Sequence, residues 1–178
     1  MPGTVLHAAP VAVFPLSLYN PFVRERMLSE IDRDDLAVDE NTVLVMKSCG
    51  PKGAPGFPEW GQIPMPRVLL RRQVTDMVRI SDARMSGTSF GTVVLHVAPE
   101  SAVGGPLAIV ETGDEIVLDT ARRRIDVSLA PEEIEARLAR FTPRTAPAPR
   151  GYLKLFLEHV TQADQGCDFD FLRAVKKD

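Results

Sequence analysis

Hydrophobic positions along the chain fall into short runs of two kinds. Val43-Leu44-Val45-Met46, entered through Thr42, is continuous, the pattern of a short buried strand. Met77-Val78-Arg79-Ile80 predicts a second strand and residues 92–97 a third buried one. Residues 107–110, 115–118 and 124–129 predict further short strands, the last with Ile125, Val127 and Leu129 on one buried face. Helical spacing appears in four places. Asn20-Pro21 offers an N-cap and a preset φ ahead of Phe22, Met27, Leu28 and Ile31. Residues 65–74 carry apolar positions at helical spacing with Arg67, Arg71 and Arg72 on the outer face. Residues 131–141 open with proline and two glutamates at the positive end of a helix dipole and place Ile134, Leu138 and Phe141 on one side. Leu153, Phe156, Leu157 and Val160 repeat the helical period. The first eighteen residues show no period and are expected to form a poorly ordered leader or an altered start.

The segments between these runs are unequal. Residues 32–40 are acidic and predict a solvated loop. Residues 48–66 hold four glycines and five prolines, too many for a helix or sheet interior, so a long shaped loop is expected. Residues 81–91 are small, polar and interrupted by glycine, and they lie between two predicted strands, where sites are commonly built. Residues 142–149 form a linker with three prolines. The chain has no internal repeat. The sum is an α+β (mixed) fold.

Composition narrows the function. A chain of 178 residues that is 44% hydrophobic can support one substantial core. With 21 basic against 24 acidic residues there is no overall attraction to phosphate backbones or anionic lipid, so neither nucleic acid nor a membrane is an expected partner. No segment approaches the roughly 20 apolar residues of a membrane span. Pro2, Pro10 and Pro15 interrupt the apolar start, and no basic stretch precedes it as in a signal peptide. Cys49 and Cys167 stand far apart and encode no disulfide framework or zinc knuckle, so a cytoplasmic location fits.

Two loops carry candidate chemistry. In residues 50–59, rigid prolines and permissive glycines can hold one carboxylate, Glu59, in a fixed pose; a solvated surface charge is the competing reading, and Lys52 reads as a surface lysine. Residues 81–91 crowd hydroxyls and glycines, the composition of a backbone nest for an anion, with a tight turn of self-bonded hydroxyls as the alternative. Ser86 sits in no nucleophile-elbow pattern and has no histidine beside it, which leaves serine-hydrolase chemistry unsupported. His96 reads as a core histidine within a strand, Gly104-Gly105 as a turn, and Cys49 as a small buried residue.

Gly50-Pro51-Lys52-Gly53-Ala54-Pro55-Gly56-Phe57-Pro58-Glu59 and Ser81-Asp82-Ala83-Arg84-Met85-Ser86-Gly87-Thr88 together resemble the two signatures of the iron–sulfur dehydratases. That family includes dihydroxy-acid dehydratase, phosphogluconate dehydratase and the aldonate (arabinonate, xylonate) dehydratases. The resemblance runs over residues 31–172, through Leu95-His96-Val97-Ala98-Pro99-Glu100, Gly104-Gly105-Pro106 and Gly113-Asp114 to Ala163-Asp164-Gln165-Gly166-Cys167-Asp168-Phe169-Asp170. Ala54 and the tail are more similar to the sugar-acid branch.

The resemblance implies an aconitase C-terminal-domain-like, swivelling β/β/α fold, a β-barrel with covering helices. It divides the chain into an atypical leader (1–30), the dehydratase C-terminal domain (31–141), the linker (142–149), and a C-terminal helix and tail (150–178). It implies a hydro-lyase that converts aldonates or 2,3-dihydroxy acids to 2-keto-3-deoxy or 2-keto acids. In the family a 2Fe-2S cluster and a magnesium ion are held mostly by an N-terminal domain whose cluster cysteines this chain lacks. By resemblance Glu59 is a magnesium ligand, Ser86 the base for the C2 proton, and Thr88 a contact of the substrate carboxylate region. The chain is then expected to be inactive without that domain or a complementary chain, and to self-associate through the apolar face left uncovered, as a homo-oligomer. The alternative is a non-catalytic binding module or a truncated remnant with the same fold.

Overall fold

Continuous apolar runs place strands at the centre of the molecule, and a computed structural model, which describes residues 5–15, 23–143 and 148–172, arranges them in one six-stranded mixed sheet. In chain order the strands are β1 (Val5–Pro15), β2 (Val43–Lys47), β3 (Arg79–Ser81), β4 (Val93–Val94), β5 (Glu115–Asp119) and β6 (Arg124–Val127), and their spatial order is β4-β3-β2-β1-β5-β6. Strands β1 to β4 run parallel, and β5 and β6 continue the other side of β1 antiparallel. The helices are α1 (Val23–Ile31), α2 (Arg67–Arg71), α3 (Pro131–Arg140) and α4 (Gly151–His159). The architecture is α+β.

The uninterrupted run in β2 is explained by burial on both faces, as parallel strands require. Leu44 and Met46 join Ala12, Met27, Ile31, Ile63, Leu69 and Met77 on one side. Val43 and Val45 join Val11, Ile80, Leu107, Val110 and Ile116 on the other. Helices α1 and α2 thus cover one face of the sheet, and the 3-10 turn Pro106–Ile109 with β5 closes the other.

Several expectations are corrected. Residues 5–15, expected to form a poorly ordered leader or an altered start, make a strand inside the sheet; they show no period because Val11 and Ala12 are buried on opposite faces. Residues 107–110 form a 3-10 turn, since Pro106 opens it and Leu107, Ile109 and Val110 bury their side chains without a strand. The third strand shrinks from 92–97 to Val93–Val94 at the sheet edge, where both residues are half-buried. Strand β6 presents no buried face: Ile125 is 40% exposed on the opposite edge. The helix opening at Asn20-Pro21 and residues 144–147 of the linker lie outside the described residues.

Helix α3 has no fully buried side chain, so polar contacts hold it down. The Arg137 guanidinium donates to both Asp114 oxygens (2.6 and 3.0 Å), to Glu133 (2.7 Å) and to the Ile109 carbonyl (2.9 Å). Burial opposes ionisation of Asp114, but the Arg137 guanidinium and the Glu111 amide outweigh it and hold the carboxyl below its ordinary value. A depressed carboxyl stabilises above the usual range near pH 4 and loses that contribution as pH falls through its folded value. Arg137→Met, which removes the guanidinium from Asp114 and leaves it the Glu111 amide, is expected to cost about 3 kcal/mol at pH 7. The loss should shrink on acidification, and urea midpoints from pH 7 down to about pH 3 check both size and sign.

Candidate functional site

Because β2, β3 and β4 are parallel, the loops that leave their carboxyl ends emerge at one edge of the sheet, where open α/β sheets bind ligands. Both glycine-rich segments are such loops. The first turns tightly: the Ala54 amide donates to the Gly50 carbonyl (2.7 Å) and the Phe57 amide to the Ala54 carbonyl (2.8 Å). Phe57 itself takes a left-handed backbone (φ 50°) and lays its ring edge-on to His96 at 5.5 Å. At Gly61 the loop presses on the second one; a Cβ there would collide with Leu95 and lie 2.8 Å from the Arg84 carbonyl oxygen. The Gly61 amide donates to that same carbonyl at 2.8 Å.

Arg84 joins the loops. Its Nε donates to the Phe57 carbonyl at 2.6 Å, and its Nη1 lies 3.4 Å from Glu59 Oε1, both side chains being 46% exposed. Glu59 therefore stands at the surface with a cationic neighbour contributed by the second loop. Two residues beyond Arg84, the Ser86 and Thr88 hydroxyls lie 3.0 Å apart, and the Thr88 amide approaches Ser86 Oγ at 3.4 Å. The fold thus brings Glu59 to the loop of Ser86 and Thr88, while the two hydroxyls engage each other within their own turn.

Below these groups lies a buried polar layer. The Asp82 carboxylate, fully buried, accepts from the Ser48 amide (3.2 Å), the Cys49 amide (2.8 Å), the Ser101 amide (2.8 Å) and the Ser101 hydroxyl (2.6 Å). Ser48, at the end of β2, has φ 62°, and the Asp82 carboxylate helps to hold that left-handed turn. Glu100 is also buried and binds the start of the first loop. Sequence reasoning assigned no role to Asp82, Arg84, Glu100, Ser101 or Gln162. Asp82 and Arg84 lie inside the second motif, which was signal enough to suspect them; Gln162 lies 62 positions from its partner and gave none.

His96 is corrected: it is exposed, outside any strand, with φ 56° and its amide on the Ala83 carbonyl (3.0 Å). Cys49 is buried as expected, and burial, with the nearby Asp82 and Glu100 charges, pushes its thiol well above the ordinary value. Lys52 is half-buried and contributes its amide to Glu100. Among the described residues no group of three or more His, Cys, Asp or Glu could hold a metal ion. Glu59 offers one hard oxygen ligand, a fraction of the octahedral set that magnesium needs. Two cysteines, one of them a buried neutral thiol, do not fit an iron–sulfur cluster, which takes four thiolates. No helix among the described residues is long and apolar enough to cross a membrane.

The chain is similar to known proteins. The model of a family described as dihydroxy-acid/6-phosphogluconate dehydratase C-terminal matches residues 19–167. The 6-deoxy-6-sulfo-D-gluconate dehydratase of Pseudomonas putida is 47% identical over 168 residues, 94% of this chain and 28% of that protein. The L-arabinonate dehydratase of Rhizobium leguminosarum bv. trifolii is 50% identical over 148 residues, 83% of this chain and 26% of that one. The dihydroxy-acid dehydratase of Saccharolobus islandicus is 42% identical over 132 residues, 72% and 23% respectively. The chain spans about a quarter of the length of these curated relatives.

Proposed function

Since the chain belongs to the dihydroxy-acid/6-phosphogluconate dehydratase family and matches its C-terminal domain, we propose that it contributes one wall of a composite hydro-lyase site acting on sugar acids or related 2,3-dihydroxy acids. The fold of that wall is the swivelling, aconitase-like type. The observation that carries the reading is the convergence of Glu59 with the Ser86–Thr88 turn, through Arg84, at the carboxyl edge of a parallel sheet.

Dehydration to a 2-keto acid requires removal of the C2 proton and departure of the C3 hydroxyl, after which the enol tautomerises. In this reading Ser86 Oγ takes the C2 proton, and Thr88 Oγ1, 3.0 Å away, orients the substrate carboxylate region and the serine together. Glu59 would supply one carboxylate oxygen to a magnesium ion, and Arg84, 3.4 Å from it, would keep that carboxylate aimed at the site. Magnesium, when bound, supplies Lewis acidity at the leaving oxygen and favours an ionised serine. The two cysteines of this chain do not make a cluster site, so an iron–sulfur cluster of the composite enzyme would be held by the other domain. Lys, His and carboxylate bases are better bases than serine, so Ser86 acts only beside a metal that this chain holds in part.

The test is reconstitution under anaerobic conditions with a separately expressed N-terminal domain of a family dehydratase, following 2-keto acid formation from arabinonate, other aldonates and 2,3-dihydroxy acids. Activity is expected only with both parts present, with aldonates preferred. Association without turnover, or neither, would overturn the catalytic reading in favour of a binding module.

A further inference from the structure

Glu100 is 1% exposed, a carboxylate buried beneath the first loop. It accepts from the Lys52 amide (2.8 Å) and Gln162 Nε2 (2.9 Å) at Oε1, and from the Gly53 amide (2.6 Å) at Oε2. The Glu100 amide returns a bond to Gln162 Oε1 at 2.7 Å, so Gln162 clamps both the main chain and the side chain of this one residue. The fit is tight. A Cβ on Gly50 would lie 2.6 Å from Glu100 Oε2, and one on Gly53 would lie 2.9 Å from the same oxygen. Gly50 and Gly53 therefore leave the space in which this carboxylate sits, which gives the Gly-Pro-Lys-Gly spacing a steric cause.

Burial raises the Glu100 carboxyl above its ordinary value against the pull of Lys52, Gln162 and Gly53. Keeping a carboxylate there is costly, and what it holds is the backbone of one loop. From Gly53 a chain of bonds runs outward. Ala54 closes on Gly50, Phe57 closes on Ala54, the Phe57 carbonyl receives Arg84 Nε, and Arg84 faces Glu59.

We infer that Glu100, seated between Gly50 and Gly53 and clamped by Gln162, is a positioning residue that fixes the first loop and, through Phe57 and Arg84, the pose of Glu59. This deepens the composite-site reading and rests on it for the meaning of Glu59, but the coupling itself belongs to this chain alone. It also gives the C-terminal segment a role, since the turn after α4, which places Gln162, locks the site edge from below.

The experiment is heteronuclear NMR on the full chain, without metal or substrate. Glu100→Gln turns a donor toward the Lys52 or Gly53 amide, and exchange of those amides is expected to accelerate roughly 10- to 100-fold, as loss of a charge-assisted hydrogen bond predicts. In the parent chain the Arg84 Nε–H, held on the Phe57 carbonyl, is expected to give a protected signal, and Glu100→Gln is expected to abolish it while amides of β2 and β3 keep their protection. Retention of the Arg84 signal with fast-exchanging Lys52 and Gly53 would overturn the coupling. Gln162→Ala leaves the carboxylate in place and removes one half-buried donor to it together with the acceptor of the Glu100 amide, so it serves if the first variant does not fold. It is expected to weaken the same two amides and the Arg84 signal, and unchanged spectra would overturn the proposal. None of these signals needs turnover, so an inactive reconstituted enzyme would count against the dehydratase reading only.

Discussion

Asp82→Ala is expected to lower the unfolding free energy by about 3–5 kcal/mol, because it strands the buried Cys49 amide and the Ser101 amide and hydroxyl and leaves the Ser48 amide only the Ser101 Oγ at 2.6 Å. The Ser48, Cys49 and Ser101 amides and the Ser101 hydroxyl all point at it, and none has moved into water. A loss of that size is a large share of the roughly 5–15 kcal/mol available to a domain. Urea denaturation should show a lower midpoint with an unchanged slope. Asp82→Asn keeps one acceptor oxygen but faces the others with an amide nitrogen, so an intermediate loss is expected. The comparison is Asp34→Ala, which opens the exposed Arg71–Asp34 pair and is expected to leave the midpoint where it was. If Asp82→Ala matched that surface variant, the buried layer under the loops would not be what holds them together.

The contrast between Asp82 and Glu59 shows which parts of this molecule can be read from residues alone. Local rules identify elements whose partners are near in sequence. Val43 to Met46 had to be a strand, and Pro131 with its two glutamates had to open a helix. The glycine–proline loop could be neither. Glu59, Ser86 and Thr88 were singled out as candidates because they lie in segments of unusual composition and match a family pattern, and the fold sets the Glu59 loop against the loop of the two hydroxyls. What stayed hidden depends on contacts far apart in the chain. The strand Val5–Pro15, held between β2 and β5, shows no alternation because Val11 and Ala12 bury opposite faces in two different clusters. Residues 107–110 are as apolar as a strand and are buried like one, but Gly105 and Pro106 turn the backbone into a 3-10 form. His96 looked like a strand residue since its neighbours are apolar, and it is the chain's departure from β4 that exposes it. Glu100 and Gln162 had no local signal, as a carboxylate and an amide look like surface residues until their 62-residue separation is closed.

In the reconstituted enzyme, Ser86→Ala is expected to lower kcat by about 10²- to 10⁴-fold, the range that a positioned general base contributes. Stability should barely change. Ser86 Oγ makes one long contact to the Thr88 amide and one to the Thr88 hydroxyl, and Thr88 is exposed, so water replaces both. That separation matters, because a variant that lost activity by unfolding would carry no information about the base. Thr88→Val is the informative companion. If Thr88 orients the substrate carboxylate, its loss removes binding in the ground state as well as the transition state, and KM rises more than kcat falls. If it serves chiefly to aim the Ser86 hydroxyl, kcat falls and KM holds. Steady-state kinetics on arabinonate for both variants, with thermal unfolding of each, distinguishes these outcomes. A Ser86→Ala enzyme that kept its turnover would place the base on the other domain and leave this chain to shape the wall and offer Glu59.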